Sequence, residues 1–466
     1  MRRTKIICTI GPATIERVPE LVEAGMDIAR VNFSHGSDAD HSRAFEEVRK
    51  AAGTDRPIGL LVDLPGPKIR LGEISGGEVT IETGSVFELR APGSLGDFKG
   101  AATDHPTLAA DLQSGDRILL ADGAAELRVI GCDETVRTEV VSGGTIRSRA
   151  GVNVPSHRLS LPALTEKDKV GVRQAIELEA DFVAQSFVRR AEDIRGLRAL
   201  VGSRPIQIVA KIETGLAVEA ADEILAEADA IMLARGDLGV EIPFEEIPVI
   251  QKSILRSATG AGIAGVVATQ MLESMINSPR PTRAEASDVA NAVLDGADAI
   301  LLSAETAIGR YPIEAVRAAA RICAAAEAKG GEFVWERRQP RPASDAQAIA
   351  QAAALLTRRD PYVSAIACWT QSGRTAALLS SVRPDVPIFA FSPEPVTVRR
   401  LTIRRGVFSM RCEDAKNTDS MIATMDRLLR ENSHVPAGAV VLMVASNPVG
   451  QTSTNLLKVH RIRGRG

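Results

Sequence analysis

Lys211 and Glu213 close the stretch Ile206–Glu213 (Ile-Gln-Ile-Val-Ala-Lys-Ile-Glu), a short β-branched run bounded by Pro205 and by Thr214-Gly215. Such a run reads as a buried parallel strand. Strand side chains alternate, so Lys211 and Glu213 share one face while Ala210 and Ile212 take the other. An ionised group inside a protein is costly unless it is partnered, and a mutual ion pair at a strand end would by itself account for the two residues. The same arrangement, however, recurs along the chain. Arg30, Asn32 and Ser34 close one apolar run and Asp63 the next; Gln185 with Ser186, Arg235 with Asp237, Thr269 with Gln270, and Ser303 with Glu305 close others. A packed strand end needs stabilising residues, not this many ionisable ones, so the set points to a functional site.

Glu213 and Asp237 are oxygen ligands of the kind that suit Mg2+ or Mn2+, with substrate and water completing the shell. A divalent metal on two carboxylates beside a lysine and an arginine suits phosphoryl transfer, because each cation sits where negative charge builds. No Gly-x-x-x-x-Gly-Lys-Ser/Thr sequence is present, so a nucleotide would be held another way. A carbon–carbon lyase or aldolase working through an enolate would use a similar set, and a metabolite sensor with a silent barrel is a third reading. Lys211 aimed at a phosphoryl group favours a kinase over a lyase. The presence of Lys211, Glu213, Asp237 and Thr269 together at strand ends argues against the sensor.

The elements that must position these residues are apolar runs alternating with amphipathic segments. Runs fall at Lys5–Thr9, Asp27–Phe33, Pro57–Asp63, Ala180–Phe187, Ile206–Glu213, Ala228–Arg235, Ala264–Thr269 and Ala297–Ser303. This predicts a (β/α)8 TIM barrel, an α/β fold whose sites lie at the C-terminal strand ends. Pro243 and Pro312 read as first-turn prolines of helices, and Ser287-Asp288 as an ambiguous helix start. Between Gly66 and Pro155 the chain is rich in turn dipeptides (Gly76-Gly77, Asp122-Gly123, Gly143-Gly144) with short β-prone stretches at Val79–Ile81, Ile118–Leu120 and Glu126–Ile130. That pattern predicts a small β-barrel lid domain inserted after strand 3. Lys329–Pro342 reads as a linker, and the remainder as a C-terminal α/β domain. The expected division is 1–65 and 156–330 for the barrel, 66–155 for the lid and 343–466 for the last domain. In that domain Thr370, Ser372, Gly373, Arg374 and Thr375 follow a strand and open a helix, a plausible phosphate cradle.

With 466 residues the chain is long enough for two to four domains. A net charge of -3 and 3% aromatic residues argue against nucleic-acid and membrane partners. The five cysteines are scattered singly, as free thiols of a reducing cytosol would be, and no apolar run approaches a membrane span, so a cytoplasmic location is expected.

The segments Cys8-Thr9-Ile10-Gly11-Pro12-Ala13, Asn32-Phe33-Ser34-His35-Gly36, Ala210-Lys211-Ile212-Glu213, Ala234-Arg235-Gly236-Asp237-Leu238-Gly239, Ala268-Thr269-Gln270-Met271-Leu272-Glu273-Ser274-Met275 and Arg280-Pro281-Thr282-Arg283-Ala284-Glu285 together resemble the pyruvate kinase family. The resemblance covers the whole barrel, the insert by position and the last domain by pattern. It implies transfer of phosphoryl from phosphoenolpyruvate to ADP, and a homotetramer. Carried over by position, Lys211 would stabilise the phosphoryl in flight, and Glu213 and Asp237 would bind the divalent metal. Gly236 and Asp237 would present backbone N–H groups to the substrate carboxylate. Arg30 would hold the phosphate and Arg70 close on it, Thr269 would orient a water that protonates the enolate, and Ser303 and Glu305 would form a relay. His35 and Arg70 are the residues expected to meet the nucleotide. Family members that need potassium resemble one another in an Asp-Thr-Lys-Gly-Pro-Glu segment; here it reads Asp63-Leu64-Pro65-Gly66-Pro67-Lys68. Asn32, Ser34 and Asp63 of the monovalent site are present, and Lys68 is expected to replace K+ with a fixed ammonium. Ala445-Ser446-Asn447-Pro448-Val449-Gly450 lacks the tryptophan and arginine of the fructose-bisphosphate-responsive pattern, so a monophosphate effector is expected over a bisphosphate. The basic tail Arg461–Arg465 reads as a solvated end.

Overall fold

The computed structural model describes residues 1–52, 56–155, 161–329, 342–432, 435–449 and 453–463. Eight parallel strands close a barrel: β1 Lys5–Thr9, β2 Ile28–Asn32, β3 Gly59–Asp63, β4 Phe182–Gln185, β5 Gln207–Ile212, β6 Ala230–Ala234, β7 Ala264–Ala268 and β8 Ala299–Leu302. Most strands are shorter than the apolar runs: Ser186, Glu213, Arg235, Thr269 and Ser303 leave the ladder for the loops, whereas Asn32, Asp63 and Gln185 stay within it. Alternation divides each strand between two cores. Ile7, Ile28, Leu61, Phe182, Val209, Met232, Val266 and Leu301 fill the barrel interior. Ile6, Leu60, Val183, Ile208, Ile231, Val267 and Ile300 face the helices. Burial on both faces is why these strands read as near-continuous apolar runs.

Pro312 opens the helix Pro312–Lys329 as expected. Pro243 does not open one: its carbonyl accepts from Glu246 N in a turn, and the first-turn proline of the next helix, Ile247–Ala261, is Pro248. Ser287-Asp288 lie inside Arg283–Asp295, whose start is a capping box in which Thr282 and Glu285 satisfy each other's backbone N–H groups.

The insert is all-β in its main features. Its strands hydrogen-bond as a seven-stranded sheet and a separate two-stranded one. The end strands of the larger sheet, Ile69–Arg70 and Gly100–Ala102, meet through the bridge Leu71–Thr103, with Gly72 N donating to Ala102 O at 2.8 Å and Asp104 N to Arg70 O at 3.0 Å, in keeping with the expected small barrel. Strands Ile69–Arg70 and Gly151–Asn153 pair with each other, so the chain enters and leaves the insert side by side. Gly66, where the chain departs, has φ +67, and a Cβ there would lie 2.9 Å from the Ser186 side chain and 2.9 Å from Phe187. Only glycine lets the insert's stem lie this close to the end of β4.

The C-terminal domain is a five-stranded sheet in the order Val407–Arg411, Ile388–Ser392, Val363–Trp369, Val440–Ala445, Leu456–Arg461, with the last strand antiparallel. Arg461 therefore ends an edge strand and does not begin a solvated tail; Gly464 and Arg465 lie outside the described residues, as do Gly450 and nearly all of the expected linker Lys329–Pro342. All five cysteines are free, with Cys132 and Cys412 only half-buried. No helix among the described residues is long and apolar enough to cross a membrane.

Candidate active site

The residues expected at the strand ends do meet at the C-terminal mouth of the barrel, around one carboxylate. Asp63, at the end of β3 and 2% exposed, accepts from Arg30 Nε at 2.7 Å through one oxygen and from Lys211 Nζ at 3.1 Å through the other. Lys211 Nζ also donates to Ser186 Oγ at 2.7 Å and lies 2.9 Å from Glu213 Oε1. Burial disfavours the Lys211 ammonium, but Asp63 and Glu213 outweigh it and hold its pKa above the ordinary lysine value. Burial likewise works against the Asp63 carboxylate, and Lys211 and Arg30 overcome it, so its pKa lies below the usual aspartate range. Lysine and arginine are thus fixed, charged and side by side at neutral pH. Arg30 is anchored further by Thr9 Oγ1, at 2.9 Å.

Glu213 is in the opposite condition. Burial, and then the neighbouring Asp237 carboxylate, raise its pKa against the pull of Lys211. Its Oε2 accepts from Phe187 N at 2.8 Å, while the buried Oε1 has only the Lys211 ammonium against it among the described residues, at 2.9 Å. A buried carboxylate whose pKa is raised by a second carboxylate close by, Asp237, is a fit for a hard divalent cation. Such a cation takes few protein ligands when substrate and water complete the shell.

Thr269 follows β7 at φ +67, with Gln270 at φ +54, and Phe187 follows β4 at φ +53. Non-glycine residues in this region carry strain of about 1–3 kcal/mol each. Thr269 Oγ1 donates to Ala268 O at 2.6 Å and accepts from Gly236 N at 2.8 Å. The Gly236 N–H expected for a substrate carboxylate is therefore held by Thr269. Arg235 makes a two-pronged pair with Asp288, 2.7 Å on each side, and donates to Thr269 O at 2.9 Å. Ser303 and Glu305 form no relay to Thr269 among the described residues. The Glu305 carboxylate instead accepts from Leu272 N at 3.0 Å and Ser303 N at 2.7 Å, tying the loops after β7 and β8 together.

Lys68 lies 3.4 Å from Asp237 Oδ1. Asn32 Oδ1 accepts from Ser34 N at 3.0 Å, and among the described residues neither side chain hydrogen-bonds Lys68. The ammonium thus stands beside a carboxylate expected to bind metal. Arg70 lies on the insert, donating to Arg149 O at 3.3 Å. His35 is exposed beside the mouth; burial of part of its ring, then Arg70, Arg30, Lys167 and Lys68, lower its pKa and mark an electropositive rim. Far along the chain, Thr370 Oγ1 accepts from Gly373 N at 2.9 Å and Thr375 Oγ1 meets Thr454 Oγ1 at 2.7 Å. Ser372 and Arg374 are left exposed on that loop.

Sequence reasoning did not reach Ser186 as the partner of Lys211, Thr9 as the anchor of Arg30, or Asp288 as the partner of Arg235. Ser186 alone carried a signal, as a hydroxyl closing an apolar run. Gln185 beside it stays buried with neither side-chain amide atom hydrogen-bonded among the described residues.

Two family models match the chain: the barrel domain of pyruvate kinase over residues 1–316 and its alpha/beta domain over residues 347–460. The chain is 41% identical to a pyruvate kinase of Geobacillus stearothermophilus over 99% of its own length and 80% of the relative's. It is 42% identical to one of Mycobacterium intracellulare over 99% and 98% of the two lengths, and 40% identical to one of Corynebacterium efficiens over 98% of both. An α/β-barrel kinase is the class these features define, and the protein is an enzyme. The chain belongs to the pyruvate kinase family.

Replacing Arg235 by Ala is expected to cost about 2 kcal/mol in urea unfolding, since Asp288 and the Thr269 carbonyl both lose a charged donor. Arg235→Lys should recover only part, because one ammonium cannot reproduce the two-pronged pair.

Proposed function

We propose that the protein transfers the phosphoryl group of phosphoenolpyruvate to ADP, giving pyruvate and ATP, with Mg2+ or Mn2+ held by Glu213 and Asp237. The observation that carries this reading is the placement of Lys211 between Asp63, Ser186 and Glu213, which leaves a charged ammonium at the mouth with no freedom to wander. When bound, the metal supplies Lewis-acid neutralisation of substrate oxygens. Lys211 and Arg30 meet the charge on the migrating phosphoryl group, and their shared carboxylate fixes the distance between them. Arg70, carried by the insert, adds a third cation when the insert closes and excludes water, and the electropositive rim at His35 receives the nucleotide phosphates.

Thr269 positions and does not itself donate the enolate's proton. Its hydroxyl is a weak acid already donating to Ala268 O, so a water ordered against it is the proton source. A substrate carboxylate arriving at Gly236 and Asp237 takes over the Gly236 N–H from Thr269 and frees that hydroxyl to hold the water. Glu305 supports this step by holding the loops after β7 and β8 in register.

Lys68 supplies a permanent positive charge at the Asp237 side of the site, and activity is independent of K+ on this account. In a K+-free assay with Mg2+, pyruvate should form only when ADP is present, at a rate that KCl leaves within about twofold; a like-for-like loss of the ammonium in Lys68→Met should make the rate KCl-sensitive. Pyruvate formed without ADP, or a wild-type rate that climbs manyfold with KCl, would contradict the reading. The loop carrying Thr370, Ser372, Gly373, Arg374 and Thr375 is read as the seat of a monophosphate effector, on the exposure of Ser372 and Arg374, and the assembly as a homotetramer by family; calorimetry with a sugar monophosphate and sedimentation velocity decide these two.

The raised pKa of Glu213 gives a pH test. A carboxylate whose pKa is raised in the metal-free protein stays protonated to a higher pH, so metal must displace its proton. Mn2+ affinity measured by calorimetry should fall by up to about tenfold per pH unit once the pH drops below that raised value, and Glu213→Gln should abolish the dependence along with most of the affinity.

A further inference from the structure

At the amino-terminal end of the barrel, opposite the active site, an aspartate stands immediately before each even-numbered strand: Asp27 before β2, Asp181 before β4, Asp229 before β6 and Asp298 before β8. Each carboxylate accepts from a backbone N–H at the base of the preceding odd strand: Ile6 at 2.9 Å, Leu60 at 3.0 Å, Ile208 at 2.8 Å and Gly265 at 3.0 Å. The ring so formed ties strand to strand where the ladders begin. What differs around it is the source of the counter-ions.

Asp27 is paired by Arg2 at 2.7 Å and Lys5 at 3.7 Å, and Asp229 by Arg198 at 3.0 Å, all from the barrel chain itself. Asp181 has Arg49 at 3.2 Å but also Arg399 at 2.8 Å. Asp298 takes a two-pronged pair from Arg383, at 3.0 and 2.9 Å. Arg383 and Arg399 belong to the C-terminal domain, and β4 and β8 lie on opposite sides of the closed barrel. Between them Ile403, in the turn Leu401–Ile403, is fully buried among the interior residues Ile7, Ile28 and Phe182. It forms the lowest layer of a core otherwise made of barrel strands.

Both arms of this contact are built on the loop Thr370–Thr375. The helix Arg374–Ser381 starts in that loop, and Arg383 follows its end at φ +53, a strained conformation for arginine. The second arm, leading to Arg399 and Ile403, is held by Thr397 Oγ1 donating to Gln371 O at 2.7 Å, and Leu401 lies 3.3 Å from where a Cβ on Gly373 would be. At its other end β4 leads directly to Ser186, the hydroxyl that receives Lys211.

We propose that the C-terminal domain is latched into the floor of the barrel at two opposite strands, by Arg383 on Asp298 and Arg399 on Asp181 with Ile403 as the plug between them, making the Thr370–Thr375 loop and strand β4 one mechanical unit. Removing one partner of a buried pair strands the other's charge. The two latches are unequal, since Asp181 keeps Arg49 whereas Asp298 is paired by Arg383 alone among the described side chains within ion-pair distance.

Backbone hydrogen exchange on the full-length protein, followed by mass spectrometry, reads the ring directly. In Arg383→Ala the Gly265 amide should exchange about tenfold faster or more, in Arg399→Ala the Leu60 amide should exchange faster by a smaller factor, and the Ile6 and Ile208 amides should not change in either. Should Arg383→Ala fail to fold, the same pattern is required of the milder Arg383→Gln. Unchanged exchange at Gly265 and Leu60 in folded variants, or an equal rise at all the ring amides, would overturn the latch.

Discussion

One buried carboxylate sets the terms of this active site. Asp63 binds Arg30 with one oxygen and Lys211 with the other, so two cations that would repel each other are held as neighbours at the barrel mouth. Taking these charges out of water is costly, and the cost is recovered only where geometry and supporting hydrogen bonds are good. Ser186 and Thr9 provide that support, and Glu213 balances the second positive charge. The cluster is therefore preorganised: the field that a migrating phosphoryl group would meet is built during folding, and no side chain must reorient to create it.

Backbone strain is concentrated around the same cluster. Phe187 is held by the Glu213 carboxylate, and Thr269 by Gly236 and by the Arg235–Asp288 pair, each in a left-handed conformation such residues rarely adopt. The barrel can sustain this because its interior and outer cores fix the strands that lead into both residues. The floor contributes as well, through the aspartates that tie odd strands to even ones and the isoleucine that the last domain inserts below them.

Much of this was legible in the sequence, for physical reasons that differ between elements. A strand covered on both faces must be an apolar run, so the barrel strands announce themselves, and period-two alternation alone places Lys211 with Glu213 on one face. Strands that are half exposed do not announce themselves in this way: Val407–Arg411 mixes serine and arginine into its run, and the edge strand Leu456–Arg461 carries lysine, histidine and arginine and ends on the first residue of the segment Arg461–Arg465 that reads as a tail. Partnerships across the fold were illegible because nothing local encodes them. Arg235 and Asp288 are brought together by the packing of a helix, and Lys68 reaches Asp237 from the insert's stem, far from it in sequence. Pro243 misled for the opposite reason: a turn and a helix start both accept a proline, and the choice is made by the residues that follow.

The claim on which the account rests is that Asp63 acts through the cations it holds, and a double-mutant cycle on kcat tests it most directly. Asp63→Asn, Lys211→Met and the combination would be assayed for ADP-dependent pyruvate formation. The account predicts strong non-additivity: Asp63→Asn should lower kcat by about a hundredfold or more in the wild-type background and add less than about threefold once Lys211 is gone. Losses that simply multiply would mean that Asp63 and Lys211 serve the reaction independently, and the carboxylate-centred description of the site would be wrong.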